Sequence, residues 1–200
     1  MQDARRAAPL EPPLDRLAPQ PRPHPQEGAD PLPLDARPGY LRLFPRVMPK
    51  LDFARAPNLL LQKLPARSFV AETSVELTDS MAKSRAGLVV VGESHAALAV
   101  QRTKDGQMVV LFVDNEIVGE HHIAEGPVRL VVSLADGGGC RFFYQAAGDA
   151  DVSLAGSFQA RAGRWIGANV GLFAIGEPAT TPGTYADFDY FRFHPPAVMR

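Results

Sequence analysis

Two carboxylates stand two residues apart near the end of the chain, in the run Tyr185-Ala186-Asp187-Phe188-Asp189-Tyr190-Phe191-Arg192-Phe193. Residues i and i+2 of a β-strand point to the same face, which would set Asp187 and Asp189 roughly 6.5 to 7 Å apart. Glycoside hydrolysis uses two such groups, about 5 to 5.5 Å apart for retention of configuration and about 6.5 to 9.5 Å apart for inversion. The pair could therefore serve a small glycosidase. It could equally hold a structural Ca²⁺, although that ion takes about six to eight oxygens and two aspartates supply only part of the set. The plainest role is structural, with both carboxylates accepting backbone or hydroxyl hydrogen bonds.

Other side chains invite similar tests. Trp165, the only tryptophan, together with Tyr185 and Tyr190 could form a flat surface for stacking sugar rings, or could be packed in the core, where aromatics in strands usually go. His121 and His122 are adjacent, so on a strand their imidazoles face opposite ways and cannot easily share a metal ion. Ser94-His95 lacks the glycine spacing of a nucleophile elbow and reads as a turn. Cys140 follows three glycines and opens a strand-like run, the setting of a buried thiol rather than a nucleophile.

The elements that must position these groups are strands. Phe69 to Leu77 alternates most cleanly, with Phe69, Ala71, Thr73, Val75 and Leu77 on one face and Val70, Glu72, Ser74 and Glu76 on the other. Further strands are expected at 40–44, 58–64, 86–92, 96–102, 108–113, 117–123, 128–135, 140–145 and 152–154. Gly or Asp stands at nearly every corner, and Lys104-Asp105-Gly106 is expected to close a hairpin. Two aromatic-rich strands, over 163–174 and 185–193, flank a turn-forming run from Gly176 to Gly183. In the last strand Phe191 and Phe193 fall on the nominal face of the Asp pair, which a bulge near Tyr190 or burial of both faces would reconcile. No stretch sustains a helical period, so the pattern predicts two packed antiparallel sheets, a β-sandwich.

Composition sets the outer limits. The chain has 200 residues, a net charge of −1 and 46% hydrophobic residues, an ordinary balance for a soluble domain. No basic surplus exists to neutralise phosphates, so nucleic acid is not an expected partner. No apolar run is long enough to span a bilayer, and the first residues show no secretory signal, so the expected location is cytoplasmic. Residues 1–37 differ from the rest. Prolines at 9, 12, 13, 19, 21, 23, 25, 31 and 33 suit neither helix nor sheet, and this stretch reads as a disordered linker or tail ahead of a sandwich over 38–195.

Several runs resemble, in order, a known family. Pro38-Gly39-Tyr40-Leu41-Arg42-Leu43, Asn58-Leu59-Leu60-Leu61-Gln62-Lys63, Phe69-Val70-Ala71-Glu72-Thr73 and Ala86-Gly87-Leu88-Val89-Val90 are similar to its opening strands. Cys140-Arg141-Phe142-Phe143-Tyr144, Gly163-Arg164-Trp165-Ile166-Gly167-Ala168 and Ala186-Asp187-Phe188-Asp189-Tyr190-Phe191 are similar to its later motifs. The family is the C-terminal concanavalin A-like (jelly-roll) domain of glycoside hydrolase family 43 β-xylosidases, and the resemblance runs from about Pro33 to His194. It implies an all-β sandwich with an accessory, non-catalytic role beside a five-bladed catalytic propeller in hemicellulose breakdown, with the propeller as domain or subunit partner. It leaves room for xylo-oligosaccharide binding as a freestanding module and for homo-oligomers.

The departures from the family carry as much information. The chain has no room for the propeller and its three carboxylates, so it is either a fragment or a piece that works with a separate partner. In relatives a sandwich loop can carry a Phe to the propeller's active-site rim. The counterpart here is Asp114-Asn115-Glu116-Ile117, with Glu116 where an aromatic would stand. Relatives also tend to have aromatics near Ser94-His95-Ala96-Ala97, where this chain has alanines. Some concanavalin A-like glycosidases carry Glu-x-Asp-x-x-Glu on one strand, but here the third position is Arg192.

Overall fold

The computed structural model describes residues 36–47, 53, 59–78, 84–146, 148–149, 152–153, 158–162, 167–176 and 183–196. The expected Pro-rich tail lies outside these except for its last two residues, and Trp165 lies outside them as well.

Among the described residues, fourteen strands, numbered in chain order, make two sheets. Sheet A runs β1 (Leu41–Leu43), β14 (Tyr185–His194), β4 (Phe69–Thr78), β9 (Val128–Leu134), β10 (Gly139–Gln145) and β11 (Val152–Ser153), with β12 (Phe158–Gln159) also paired to β10. Sheet B runs β2 (Arg46–Val47), β13 (Asn169–Gly176), β5 (Ser84–Val91), β6 (His95–Thr103), β7 (Gly106–Val113) and β8 (Glu116–Ile123), with β3 (Leu59–Lys63) also on β13. Among the described residues no helix occurs. The architecture is the expected all-β sandwich.

Alternation dictates the packing. Phe69, Ala71, Val75 and Leu77 of β4 face inward beside Leu130 and Val132 of β9, and they meet Leu88, Leu98, Leu111 and Leu172 of sheet B in one core. Each such Leu or Phe contributes about 1.5–3 kcal/mol by leaving water. Cys140 is 1% exposed within this core, and burial pushes its thiol up to about 11, so it is an inert packing residue.

Sheet B carries a second apolar layer on its other side. Leu59, Val89, Ala97, Ala99, Val110, Phe112, Phe173 and Ile175 alternate with the core-facing residues and are nevertheless buried. Phe53, 3% exposed, closes onto them, its ring edge-on to Phe173 with centroids 5.1 Å apart. Double-sided burial explains why the run from Ala86 to Gly92 reads as continuously apolar rather than alternating.

Several details depart from the sequence expectation, among them the two-residue β12, which was not expected between residues 154 and 163. The two-residue β2 was not expected between Pro45 and Pro49, and it pairs with β13 in parallel, unlike the other pairs. The β6–β7 turn is Lys104-Asp105, and Gly106 (φ +129°) already pairs with Thr103. Strand β13 starts at Asn169, later than the expected start, with Gly167 and Ala168 outside it, and the rest of the Trp165 motif lies outside the described residues.

Candidate functional site

Strand β14 decides the fate of the two aspartates. Phe188 pairs with Val75 and Phe191 with Thr73, so Asp189 and Tyr190 together oppose the single Ser74. This is a β-bulge, and it lets Phe188 and Phe191 both face the core despite their odd spacing. The Tyr190 carbonyl accepts a hydrogen bond from the Thr73 hydroxyl there. Asp189 is thus one of the two bulge residues, directly after the regular stretch that holds Asp187. Asp187 is 2% exposed, whereas Asp189 is exposed.

Asp187 lies on the outer face of sheet A, between Arg42 of β1 and Glu76 of β4 in register. Arg42 grips it as a fork, with Nε donating to Oδ1 at 2.7 Å and Nη2 to Oδ2 at 2.8 Å. Arg37 Nη1 donates to the same Oδ2 at 3.1 Å and to Glu76 Oε2 at 2.9 Å. Burial alone would push the Asp187 carboxyl up, but the bonds from Arg42 and then Arg37 outweigh it and hold the group below the usual carboxylate range. It is thus a fixed anion, unsuited to donating a proton. Both its oxygens are taken up by guanidinium groups, whose charge opposes a Ca²⁺ ion at this place. Among the described residues no group of three or more His, Cys, Asp or Glu is placed to hold a metal.

A second knot lies along the same face. Glu72, 7% exposed, accepts from Arg129 Nε at 2.9 Å and Nη2 at 2.6 Å through Oε2, while His194 Nε2 stands 3.1 Å from Oε1. Here too burial would raise the carboxyl, and the Arg129 and His194 contacts bring it below its ordinary value.

The tyrosines offered as sugar platforms are covered on one side by arginines. The Arg42 guanidinium sits 3.6 Å from the Tyr185 ring centroid and that of Arg192 sits 4.3 Å from Tyr190. His121 meets the Tyr144 ring at 5.5 Å and His122 is exposed, consistent with opposite directions on β8.

The loop at Asp114 is built differently. Asp114 (φ +47°) and Asn115 (φ +75°) both adopt the left-handed conformation and join β7 to β8 as a two-residue turn. Asp and Asn are the side-chain-bearing residues that tolerate it best. The turn is tied to the start of β6. The Asp114 N–H donates to the His95 carbonyl at 3.0 Å, and its carboxylate accepts the His95 N–H at 2.9 Å. His95 Nε2 lies 3.2 Å from Asn115 Oδ1, and its ring meets Phe53 edge-on. Beyond the turn Glu116 is exposed, as are Ile117 and Val118, at 49% and 39%. The apolar side chains offered by this loop are therefore Ile117 and Val118, one and two residues past the place where an aromatic was sought.

Sequence inspection singled out Asp187 but missed its partners Arg37, Arg42 and Glu76 and the whole Glu72–Arg129–His194 knot. A signal existed in the opposite charges at outward positions of separate strands. Using it requires knowing that β14 lies between β1 and β4, a neighbour order set by contacts more than a hundred residues apart in sequence.

Fold and face together define a concanavalin A-like sandwich with Asp187 and Glu72 locked in ion pairs on the outer side of one sheet. The chain belongs to the family of β-xylosidase C-terminal concanavalin A-like domains, which it matches over residues 25–194. The match takes in residues 25–37, which the composition had assigned to the linker. Among solved structures it is similar to the GH43 protein BlXynB from Bacillus licheniformis, with 22% identity over 82% of this chain and 34% of that one, at a TM-score of 0.70. It is also similar to a xylan β-1,4-xylosidase from Bacillus halodurans C-125 (23% identity, 80% and 34% coverage, TM-score 0.68) and to a bifunctional GH43-CE protein of Bacteroides eggerthii (22% identity, 82% and 22% coverage, TM-score 0.72). The chain thus spans about a third or less of the length of these proteins. No curated protein matches the sequence.

Proposed function

We propose that this chain is the accessory, non-catalytic sandwich of a glycoside hydrolase of the β-xylosidase or α-L-arabinofuranosidase type, acting beside a five-bladed catalytic propeller that supplies the carboxylates. The observation that carries this reading is the family match over residues 25–194, in a chain that covers 34% of the solved xylosidase structures it resembles. The chemistry of the outer face supports it. Asp187 and Glu72 are pinned as anions by arginines, and a carboxylate held ionised in this way is unsuited to act as the general acid of a catalytic pair. The Asp114–Asn115 turn, rigid and followed by exposed Ile117 and Val118, is the surface offered to the propeller.

The test is turnover of an aryl β-xyloside by the pure chain, alone and after addition of a separately produced family 43 propeller. No hydrolysis alone, and a change in the propeller's stability or kinetics on mixing, is the expected result. Hydrolysis by the chain alone that disappears in Asp189→Asn would replace this proposal with a small sandwich glycosidase. Saturable heat on titration with xylo-oligosaccharides would favour a freestanding carbohydrate-binding module instead.

A further inference from the structure

Asp187 is buried on a face of the sheet that would ordinarily be wet, and what covers it is the chain's own approach to β1. Residues Arg37-Pro38-Gly39-Tyr40 form a tight turn in which the Tyr40 N–H donates to the Arg37 carbonyl at 3.0 Å and Gly39 has φ +83°. Pro at the second position and Gly at the third are what a type II turn requires, so this reversal is written into the local sequence. The turn folds Arg37 back, with its guanidinium 3.7 Å from the Tyr40 ring centroid and its Nη1 bridging Asp187 and Glu76.

We propose that Asp187 is the docking post of a strap formed by Arg37–Tyr40, which clamps the chain to the outer face of sheet A and sets where the proline-rich stretch leaves the sandwich. The dependence is mutual. Asp187 is 2% exposed, and a desolvated carboxylate needs its cationic partners, so lifting the strap uncovers a charge that Arg42 alone neutralises. Without Asp187, in turn, the strap retains only the Arg37–Glu76 pair, in which both side chains are more than a third exposed, and such pairs hold little. The groups facing the carboxylate are Arg42 from β1, Arg37 from the turn and Glu76 from β4, with Tyr185 of β14 and Tyr40 beneath the two guanidinium groups.

The functional consequence rests on the reading given under Proposed function. A fixed exit at Arg37 sets the point on the outer side of sheet A from which any body joined ahead of it departs. Asp187 is then a positioning residue for that body and takes no part in chemistry.

Amide hydrogen exchange resolved by NMR, on the full chain, tests the strap without substrate or partner, so its outcome is independent of the function assigned above. Asp187→Asn is expected to speed exchange of the Tyr40 amide by about tenfold or more, while β4 and β9 stay within about twofold of wild type. Arg37→Ala removes only the half-exposed arm and is expected to speed exchange at Tyr40 while leaving Leu41–Leu43 within about twofold, which keeps the test decisive if Asp187→Asn folds poorly. An unchanged Tyr40 amide in Arg37→Ala would overturn the proposal. So would acceleration spread evenly through β4 and β9 in Asp187→Asn, which would mean that Asp187 merely supports the sheet.

Discussion

On the outer face of sheet A, charged side chains from β1, β4, β9 and β14 are paired into two knots, around Asp187 and around Glu72. On the outer face of sheet B, the same outward positions carry Val89, Ala97, Val110, Phe112 and Phe173, sealed from water with Phe53. Both faces withdraw side chains from solvent, one through directional bonds between charges and the other through contact area. The difference predicts different failure modes. An apolar layer loses stability in proportion to the volume removed, whereas a charge knot fails when one member leaves the others unpaired. It also bears on recognition. Among the described residues neither face offers an open row of aromatics, since Tyr185 and Tyr190 on sheet A are stacked by arginines and Phe112 and Phe173 on sheet B are buried.

The largest effect is expected in the apolar layer. Phe173→Ala removes a fully buried ring that packs on Phe53 and should cost about 3–5 kcal/mol in urea unfolding. A cost below that of a surface substitution would mean that the layer collapses to fill the space. Next comes the charge knot. Asp187→Ala strips Arg42 and Arg37 of their shared partner and should cost about 3 kcal/mol. Replacing the Asp187–Arg42 pair together, with apolar residues of similar volume, should recover much of that loss, because Arg42 is then no longer left without its counter-charge.

Acid separates the two faces in a single protein. Asp187 and Glu72 titrate lower in the folded state than in the unfolded chain, so the unfolded state binds more protons as the pH falls. The stability that they contribute is complete above the ordinary carboxylate range and drains away as the pH drops through it toward their depressed folded values. Thermal unfolding of wild type should show this loss, and Asp187→Ala should show less of it. Phe173→Ala should keep the wild-type slope with a lower midpoint throughout.

Smaller effects are expected at the turn. Asn115→Val places a β-branched residue at φ +75° and should cost about 1–2 kcal/mol, while Asn115→Gly should leave stability nearly unchanged. Smallest is Asp189→Asn, at an exposed position on the bulge, where stability should move by no more than about 0.5 kcal/mol.

Much of the fold was legible because it is local. Alternation over Phe69–Leu77 assigned the correct inward face, and turn chemistry at Asp114-Asn115 and Gly137-Gly138 separated the strands near where they end. The bulge at Tyr190 was legible as one of two alternatives, the other being burial of both faces, because Phe191 and Phe193 fall on the nominal face of the Asp pair, and the register shows the bulge. The site was far less legible. Nothing near Asp187 in sequence announces Arg42, 145 residues away, or Arg37, 150 away. The short β2 escaped notice because two residues carry no period, and only β13 beside them makes them a strand.

The sequence by itself determined the all-β class, the positions of the longer strands and their inward faces, since each follows from steric limits on a few neighbouring residues. Only the tertiary structure decided what the charges do. Whether Asp187 is an acid, a metal ligand or a locked anion depends on which strands flank β14, and that order is fixed by burying two sheets against each other. The long-range placement of Arg37, Arg42 and Glu76 then follows from register, and with it the conversion of a candidate catalytic residue into a structural post.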